Sequence, residues 1–261
     1  MRAVFGIGAV VLLLGSAVLI FRGFGPSGTV VLSNARAELS MMALNSVDIF
    51  VTMQNGAEPD LLLGASSALG PVEVINPDDA GAPPIPAFND VSLSLDGVFL
   101  RLSGFDSLPE EGQLLPFTLV FENSGALSSR AVMGRAADLH GTHQALGDLW
   151  EGEELVAEGH ALPSLDLAMT QLDDGGWQVI LETRDFTFAP DSPEPEHVPS
   201  HGHAHLYING LKVQRMHGPE AVIGALPQGA YLVRAAINSN DHRPYIDANG
   251  PIEAVLRLRV E

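Results

Sequence analysis

The side chains with the most distinctive chemistry are three histidines that alternate with small residues, His201, His203 and His205. The segment that carries them runs into Asn209-Gly210, and an Asn-Gly pair between two alternating runs is a strong signal of a β-hairpin. Successive side chains of a strand point to opposite faces, so the three imidazoles share one face. Neighbouring imidazoles can chelate one metal ion, and the segment is therefore a candidate metal site.

If Asn209-Gly210 forms a two-residue type I′ turn, the register of the hairpin follows by counting. The pairs predicted in this way are Ile208 with Leu211, Leu206 with Val213, His205 with Gln214, and His203 with Met216. One face is then apolar and contains Ala204, Leu206, Ile208, Leu211 and Val213. The histidine face gains Met216, whereas His217 falls on the opposite face and is not predicted as a ligand. A thioether among imidazoles points to copper first, because soft sulfur ligands select copper.

A later strand supplies one more candidate ligand. It ends at Asp241-His242, from where His242 can close the site and Asp241 can accept a hydrogen bond from an imidazole. We therefore predict a copper site, and the sequence does not specify whether the ion is Cu(I) or Cu(II). Zinc is the less favoured metal. The ligands of the site are His203, His205, Met216, His242 and, at the start of the strand, His201. The alternative is a set of exposed histidines on a polar sheet face.

Composition excludes several classes of function. The 261 residues carry a formal net charge of −19 and no cysteine. So acidic a surface repels phosphate backbones, which argues against a nucleic-acid partner. Without cysteine the chain has neither disulfides nor thiolate metal ligands.

The N-terminus predicts export. Residues 3–21 are apolar or small without exception and lie between Arg2 and Arg22. This run is long enough to cross a bilayer as a helix and longer than the apolar core of a secretory signal peptide. Segment 1–23 is therefore predicted to be a signal anchor, or a signal peptide if it is cleaved. Either places the remainder on the periplasmic side of the bacterial inner membrane or free in the periplasm.

The rest of the chain has the pattern of an all-β protein. Short alternating segments are separated by clusters of Gly, Pro, Asn and Asp, which is typical of sandwiches with many turns. After the N-terminal transmembrane helix we predict two antiparallel β-sandwich domains of cupredoxin or immunoglobulin type, at 28–134 and 160–261. The linker between them, 135–159, includes a short acidic helix predicted over 146–157.

Three segments carry a family resemblance: 55–67 with LLGASS, 72–74, and 114–122 with PFTLVFE. Together they resemble the periplasmic copper chaperone family called PCuAC, over about residues 30–133. The resemblance implies a cupredoxin-like β-sandwich that binds copper and delivers it to respiratory oxidases. The family's ligands are a histidine that ends one strand, a downstream methionine and a His-Leu-Met triplet. In this chain Ile75 stands in place of the histidine that ends the strand, and Phe99 and Arg101 replace the histidine and methionine of the triplet. The resemblance therefore implies the fold without the family's copper site.

The C-terminal part is similar to uncharacterised exported bacterial domains with a GHAHLY and NDH pattern. The pattern matches at residues 202–207 and 240–242. These domains often occur in metal-binding proteins, so the similarity agrees with a metal site in this part of the chain.

Three hypotheses follow. The first is an anchored, exported copper-binding protein that hands copper to a respiratory oxidase or another copper-accepting protein. The second is a non-metal scaffold or assembly module, favoured by the blank PCuAC-like site. The third is a copper enzyme, and the absence of both cysteine and a second compact ligand cluster argues against it. We expect the chain not to be an enzyme.

Overall fold

The computed structural model describes residues 30–134, 154–155, 161–190, 198–240 and 243–261. The predicted anchor, most of the predicted linker, Asp241 and His242 lie outside these residues. Among the described residues, no helix has the length and apolar character needed to span a membrane.

Nine strands form the N-terminal half, residues 30–134. They are β1 (Val31–Leu39), β2 (Ser46–Gln54), β3 (Asp60–Ser66), β4 (Val72–Ile75), β5 (Pro84–Ile85), β6 (Asp90–Ser92), β7 (Phe99–Ser103), β8 (Leu114–Phe121) and β9 (Gly125–Met133).

The C-terminal half, residues 154–261 as far as the structure describes them, is also built from strands. They are β10 (Glu154–Leu155), β11 (Ser164–Gln171), β12 (Trp177–Arg184), β13 (Thr187–Phe188), β14 (His201–Ile208), β15 (Leu211–Met216), β16 (Glu220–Ile223), β17 (Gly229–Ser239), β18 (Tyr245–Asp247), β19 (Gly250–Pro251) and β20 (Glu253–Val260).

The all-β class predicted from the sequence is confirmed, because every described element is a strand. Not every strand pair is antiparallel, however. β1 with β9, β10 with β18, and β13 with β14 are parallel, so the prediction of purely antiparallel sheets is wrong at these pairs. The helix predicted over 146–157 is wrong at Glu154–Leu155, which form β10.

The two halves share one sheet. Its strands follow the order β20-β17-β14-β15-β6-β2-β1-β9-β8-β3-β5. The link between the halves is the pair of β15 and β6, in which Lys212 lies opposite Ser92. The division into domains at 28–134 and 160–261 stays a prediction.

Burial follows the alternation of the sequence in most strands. In β8, Leu115, Phe117, Leu119 and Phe121 are buried and the residues between them are more exposed, as expected when one face covers a core. Strand β14 differs, because all its residues after His201 are buried. The alternative of exposed histidines on a polar sheet face is therefore wrong for His203 and His205, which are both buried.

The hairpin of β14 and β15, together with His217, is called here the histidine hairpin. Asn209 and Gly210 have φ values of 47° and 77°, and Ile208 pairs with Leu211, so the predicted type I′ turn is confirmed. Beyond Tyr207, which pairs with Lys212, the predicted register is wrong. Leu206 pairs with Gln214 because Val213 is an extra residue, a β-bulge that shifts every later pair by one.

The turn of the histidine hairpin is seated in the N-terminal half. The Asn76 amide donates to the Asn209 carbonyl at 3.0 Å, and the Asn209 amide donates to the Ala82 carbonyl at 3.0 Å. The backbone N–H of Val98 donates to the Gly210 carbonyl at 3.1 Å. These contacts, called here the junction, place the loop between β6 and β7 beside the histidine face.

Candidate metal site at the histidine hairpin

His203 and His205 meet on one face of β14, as the strand period predicts. Their Nε2 atoms are 3.0 Å apart and their ring centroids 4.8 Å apart. Both side chains are buried. Gly202 allows β17 to approach closely on one side, since a Cβ at this position would overlap the Asn238 carbonyl oxygen. The sequence therefore positions two ring nitrogens at the separation of ligands to one ion.

The other ring nitrogen of His205 faces polar groups from three elements. Its Nδ1 lies 3.1 Å from Asp96 Oδ2, 3.2 Å from the Tyr207 hydroxyl and 3.0 Å from the Asn238 side-chain amide. The Tyr207 hydroxyl also donates to Asp96 Oδ2 at 2.9 Å. Asp96 is the member of this group that comes from the N-terminal half, in the loop between β6 and β7.

Charge in the site is balanced by a lysine. The Lys212 ammonium contacts Asp96 Oδ2 directly. Burial would raise the pKa of Asp96, but the Lys212 ammonium and the hydrogen bond from His205 together hold this pKa well below its usual range. Asp96 is therefore a carboxylate at neutral pH.

His205 is neutral at the same pH. Burial, and then the nearby Lys212 charge, lower the pKa of His205 to about 4, although Asp96 acts in the opposite direction. A neutral imidazole has a free ring nitrogen, which is the form that coordinates metals. His205 would thus bind a metal without first losing a proton.

Tyr207 is fixed by residues of both halves. The Arg234 guanidinium stacks over its ring, 4.0 Å from the centroid, and is itself paired with Asp78 at 3.2 Å. Stacking of this kind restricts the ring, and so the hydroxyl that contacts Asp96 and His205. The surroundings of His205 are consequently rigid.

The bulge changes which residues join the histidines. Met216 pairs with Ala204 instead of His203 and is buried in the apolar cluster on the other face, so the predicted contact between Met216 and His203 is wrong. In its place His217 lies beside His203, with ring centroids 5.7 Å apart. The prediction that His217 faces away is therefore also wrong. Nothing in the local sequence marks Val213 as a bulge.

The remaining predicted ligands are not brought to the pair by described contacts. His201 stands at the start of β14, where its Nδ1 is 2.9 Å from the Pro199 carbonyl. His242 and Asp241 lie outside the described residues. Asp96 was missed because the sequence marks it only as part of a turn, and it is 111 positions from Tyr207.

The described residues contain no group of three or more His, Cys, Asp or Glu side chains arranged to hold a metal ion. What they provide is a pair of nitrogen ligands. With metal–nitrogen bonds of about 2.0 Å, a 3.0 Å separation gives a nitrogen–metal–nitrogen angle of about 97°. This angle suits tetrahedral or square-planar coordination completed by other ligands, and it does not suit a linear two-coordinate ion.

The positions that match the PCuAC ligands hold other interactions. Ile75 pairs with Phe99 across β4 and β7, which makes an apolar contact. Arg101 donates to Asp48 at 2.8 and 3.1 Å. No metal ligand is present at these three positions.

No family model matches this sequence, and no curated protein matches it. Among solved structures, the chain is similar to a copper-bound PCuAC domain from PmoF2, with 21% identity over 41% of this chain and 93% of that one and a TM-score of 0.37. An apo PCuAC domain from PmoF1 shares 19% identity over 41% and 93%, with a TM-score of 0.36. The Cu(I) protein DR1885 from Deinococcus radiodurans shares 18% over 44% and 83%, with a TM-score of 0.33. Similarity at this level says nothing of the ligands that this chain binds.

Proposed function

We propose that this chain is an exported copper-binding protein that holds Cu(II) between His203 and His205. One observation carries the proposal: the two Nε2 atoms lie 3.0 Å apart while Nδ1 of His205 faces the Asp96 carboxylate. A metal-binding histidine usually donates its second ring N–H to a carboxylate or carbonyl group. These two contacts support a metal site at the pair, whose coordination other ligands would complete.

The donor set supports the choice of metal. With Met216 on the apolar face and no cysteine in the chain, the ligands are imidazole nitrogens and, to complete the coordination, water or a further histidine. For such a site the affinity of divalent ions reaches its maximum at Cu(II) and is lower for zinc. The resemblance of residues 30–133 to copper chaperone domains agrees with this choice, and zinc is the second candidate.

The place in the cell and the partner are proposed from the sequence. Segment 1–23 would anchor the chain on the periplasmic side of a bacterial inner membrane. The N-terminal half, with Ile75, Phe99 and Arg101 in place of metal ligands, would support the histidine hairpin and bind no copper itself. The recipient would be a copper-accepting protein such as a respiratory oxidase, and His242 remains a predicted further ligand.

A second candidate function is a scaffold without metal. It is favoured by the hydrogen bonding of the site, because one imidazole can donate to the other across the 3.0 Å gap while Oδ2 of Asp96 is paired with Lys212 and Tyr207. Buried polar groups paired in this way need no ion. The two functions differ in whether the proton on Nε2 of His203 moves to Nδ1, so that both Nε2 atoms can coordinate copper.

Copper titration of the full chain separates the two functions. We expect wild-type protein to bind one Cu(II) ion with nitrogen hyperfine coupling in its electron paramagnetic resonance spectrum. His203→Ala and His205→Ala should each weaken binding by at least about 100-fold, since each removes one of two fixed ligands. Met216→Leu is the control and should bind like wild type. Equal affinity in wild type and in the double alanine variant would contradict copper binding at this pair.

A further inference from the structure

Asp96 lies in the N-terminal half, and its side chain is nevertheless directed to the histidine hairpin. Its Oδ2 atom contacts His205 Nδ1, the Tyr207 hydroxyl and the Lys212 ammonium, all from β14 and β15. The side chain is 8% exposed. A buried carboxylate directed in this way acts on the histidine site from the other half of the protein.

We infer that Asp96 is a positioning residue, which keeps the proton of neutral His205 on Nδ1 and leaves the lone pair of Nε2 directed at His203. Metal affinity then depends on the seating of the hairpin in the N-terminal half. The inference rests on the proposed copper function and adds to it a residue and a coupling between the halves.

The argument for the tautomer starts from the oxygens near Nδ1. A carboxylate oxygen at 3.1 Å would repel a nitrogen lone pair, and it attracts an N–H. The Tyr207 hydroxyl gives its proton to Asp96, so toward Nδ1 it offers only a lone pair as well. The Asn238 side-chain nitrogen lies 3.0 Å from Nδ1, and with the proton on Nδ1 a flip of this amide would bring its oxygen there instead. The carboxylate and hydroxyl oxygens, both acceptors toward Nδ1, fix the proton there.

The argument for coupling starts from the junction. Asp96 precedes Gly97 and Val98, and Val98 is hydrogen-bonded to Gly210 in the hairpin turn. Next to this turn, Lys212 pairs with Ser92 of β6. The carboxylate reaches His205 only while these contacts hold. Separation of the hairpin from the N-terminal half would therefore remove the group that selects the tautomer.

The test is Asp96→Asn in the full chain, compared with Asp48→Asn. An amide at position 96 can donate to Nδ1, which moves the His205 proton to Nε2 and blocks the ligand atom. Asp48→Asn is a matched control, because it also breaks a buried ion pair, that with Arg101. Long-range ¹H–¹⁵N spectra of the metal-free proteins identify the protonated ring nitrogen, and Cu(II) titration gives the affinity.

In wild type and Asp48→Asn we expect the His205 proton on Nδ1, and in Asp96→Asn on Nε2. Copper affinity should fall 10- to 100-fold in Asp96→Asn and stay at the wild-type value in the control. A wild-type spectrum with the proton on Nε2 would overturn the inference without any variant. So would an Asp96→Asn protein that is folded, as judged by circular dichroism, and binds copper like wild type.

The two proposals fail in different ways. If wild-type protein binds no copper, the copper function and the affinity part of this inference are both overturned. If wild type binds copper at His203 and His205 and Asp96→Asn binds it equally well, the copper function stands and only the role of Asp96 is lost.

Discussion

The neutral state of His205 links the stability of the protein to pH. Its pKa is about 4 in the folded protein and near the ordinary value of 6.5 in the unfolded chain, so between these values the unfolded chain binds more protons. Stability is then complete above about pH 6.5 and is lost as the pH falls through this window. Protonation of His205 in place would bury a second positive charge beside Lys212.

For the metal-free protein we expect the free energy of unfolding to fall by up to about 3 kcal/mol between pH 6.5 and pH 4, from the shift in this one pKa. Chemical denaturation at several pH values measures it. His205→Gln should show a smaller dependence over the same range. An equal dependence in the two proteins would mean that other groups cause it.

A substitution of Met216 tests whether the apolar face of β15 contributes a copper ligand. The residue pairs with Ala204 and is 2% exposed within the apolar cluster. Exchange of methionine for leucine conserves volume, and we expect Met216→Leu to change the free energy of unfolding by less than about 1.5 kcal/mol. Copper affinity, measured by titration, should stay within twofold of wild type. A tenfold loss of copper affinity in Met216→Leu would indicate that Met216 is a copper ligand after all.

Among the elements, the histidine hairpin was predicted correctly at its turn, but the pairing of its strands away from the turn was predicted one residue out of register. The type I′ turn was predictable because Asn and Gly both adopt positive φ, and this fixed the first pair, Ile208 with Leu211. The bulge at Val213 was not predictable from alternation, because a single inserted residue leaves the local pattern intact. A shift of one residue exchanges the faces, so His217 took the place predicted for Met216.

His217 now tests the corrected register. Its ring lies beside His203, and its Nδ1 is 3.1 Å from the Ala189 carbonyl, so Nε2 is the nitrogen that would coordinate copper. We expect His217→Ala to weaken copper binding by less than about tenfold, because the ring is exposed and only the buried pair is rigidly held. Titration against His203→Ala gives the comparison. A loss as large as that of His203→Ala would make His217 an essential ligand.

Gly97 tests the junction. A Cβ at this position would lie 2.7 Å from the Gly210 carbonyl oxygen, so the hairpin turn would have to move away from Asp96. We expect Gly97→Ala to lower the free energy of unfolding by about 1–3 kcal/mol and to weaken copper binding as well.

Gly64→Ala is the matched control for Gly97→Ala, because a Cβ at position 64 meets nothing within 4 Å. Unfolding curves and copper titrations of the two variants make the comparison. Unchanged copper affinity in a destabilised Gly97→Ala protein would contradict coupling between the junction and the site.

At the scale of the whole molecule, the strands were predictable and their long-range pairing was not. The alternating sequence of β8, Leu114–Phe121, indicates a strand by itself, since period-two burial is a local property. The continuous sheet depends on one pair between the halves, Lys212 with Ser92, and neither residue has a local feature that selects the other. For the same reason Asp96 could not be assigned to the site from sequence.

The contact between Lys212 and Asp96 allows the two halves to be cross-linked chemically. Lys212 is the single lysine, and its ammonium lies against a carboxylate that belongs to the other half. A zero-length carbodiimide reagent, which joins amines to carboxyl groups, should therefore form one interior amide bond, from Lys212 to Asp96. Such a bond would join the two halves covalently. Its yield, measured by mass spectrometry of peptides, would report the fraction of molecules in which the histidine hairpin is seated in the N-terminal half.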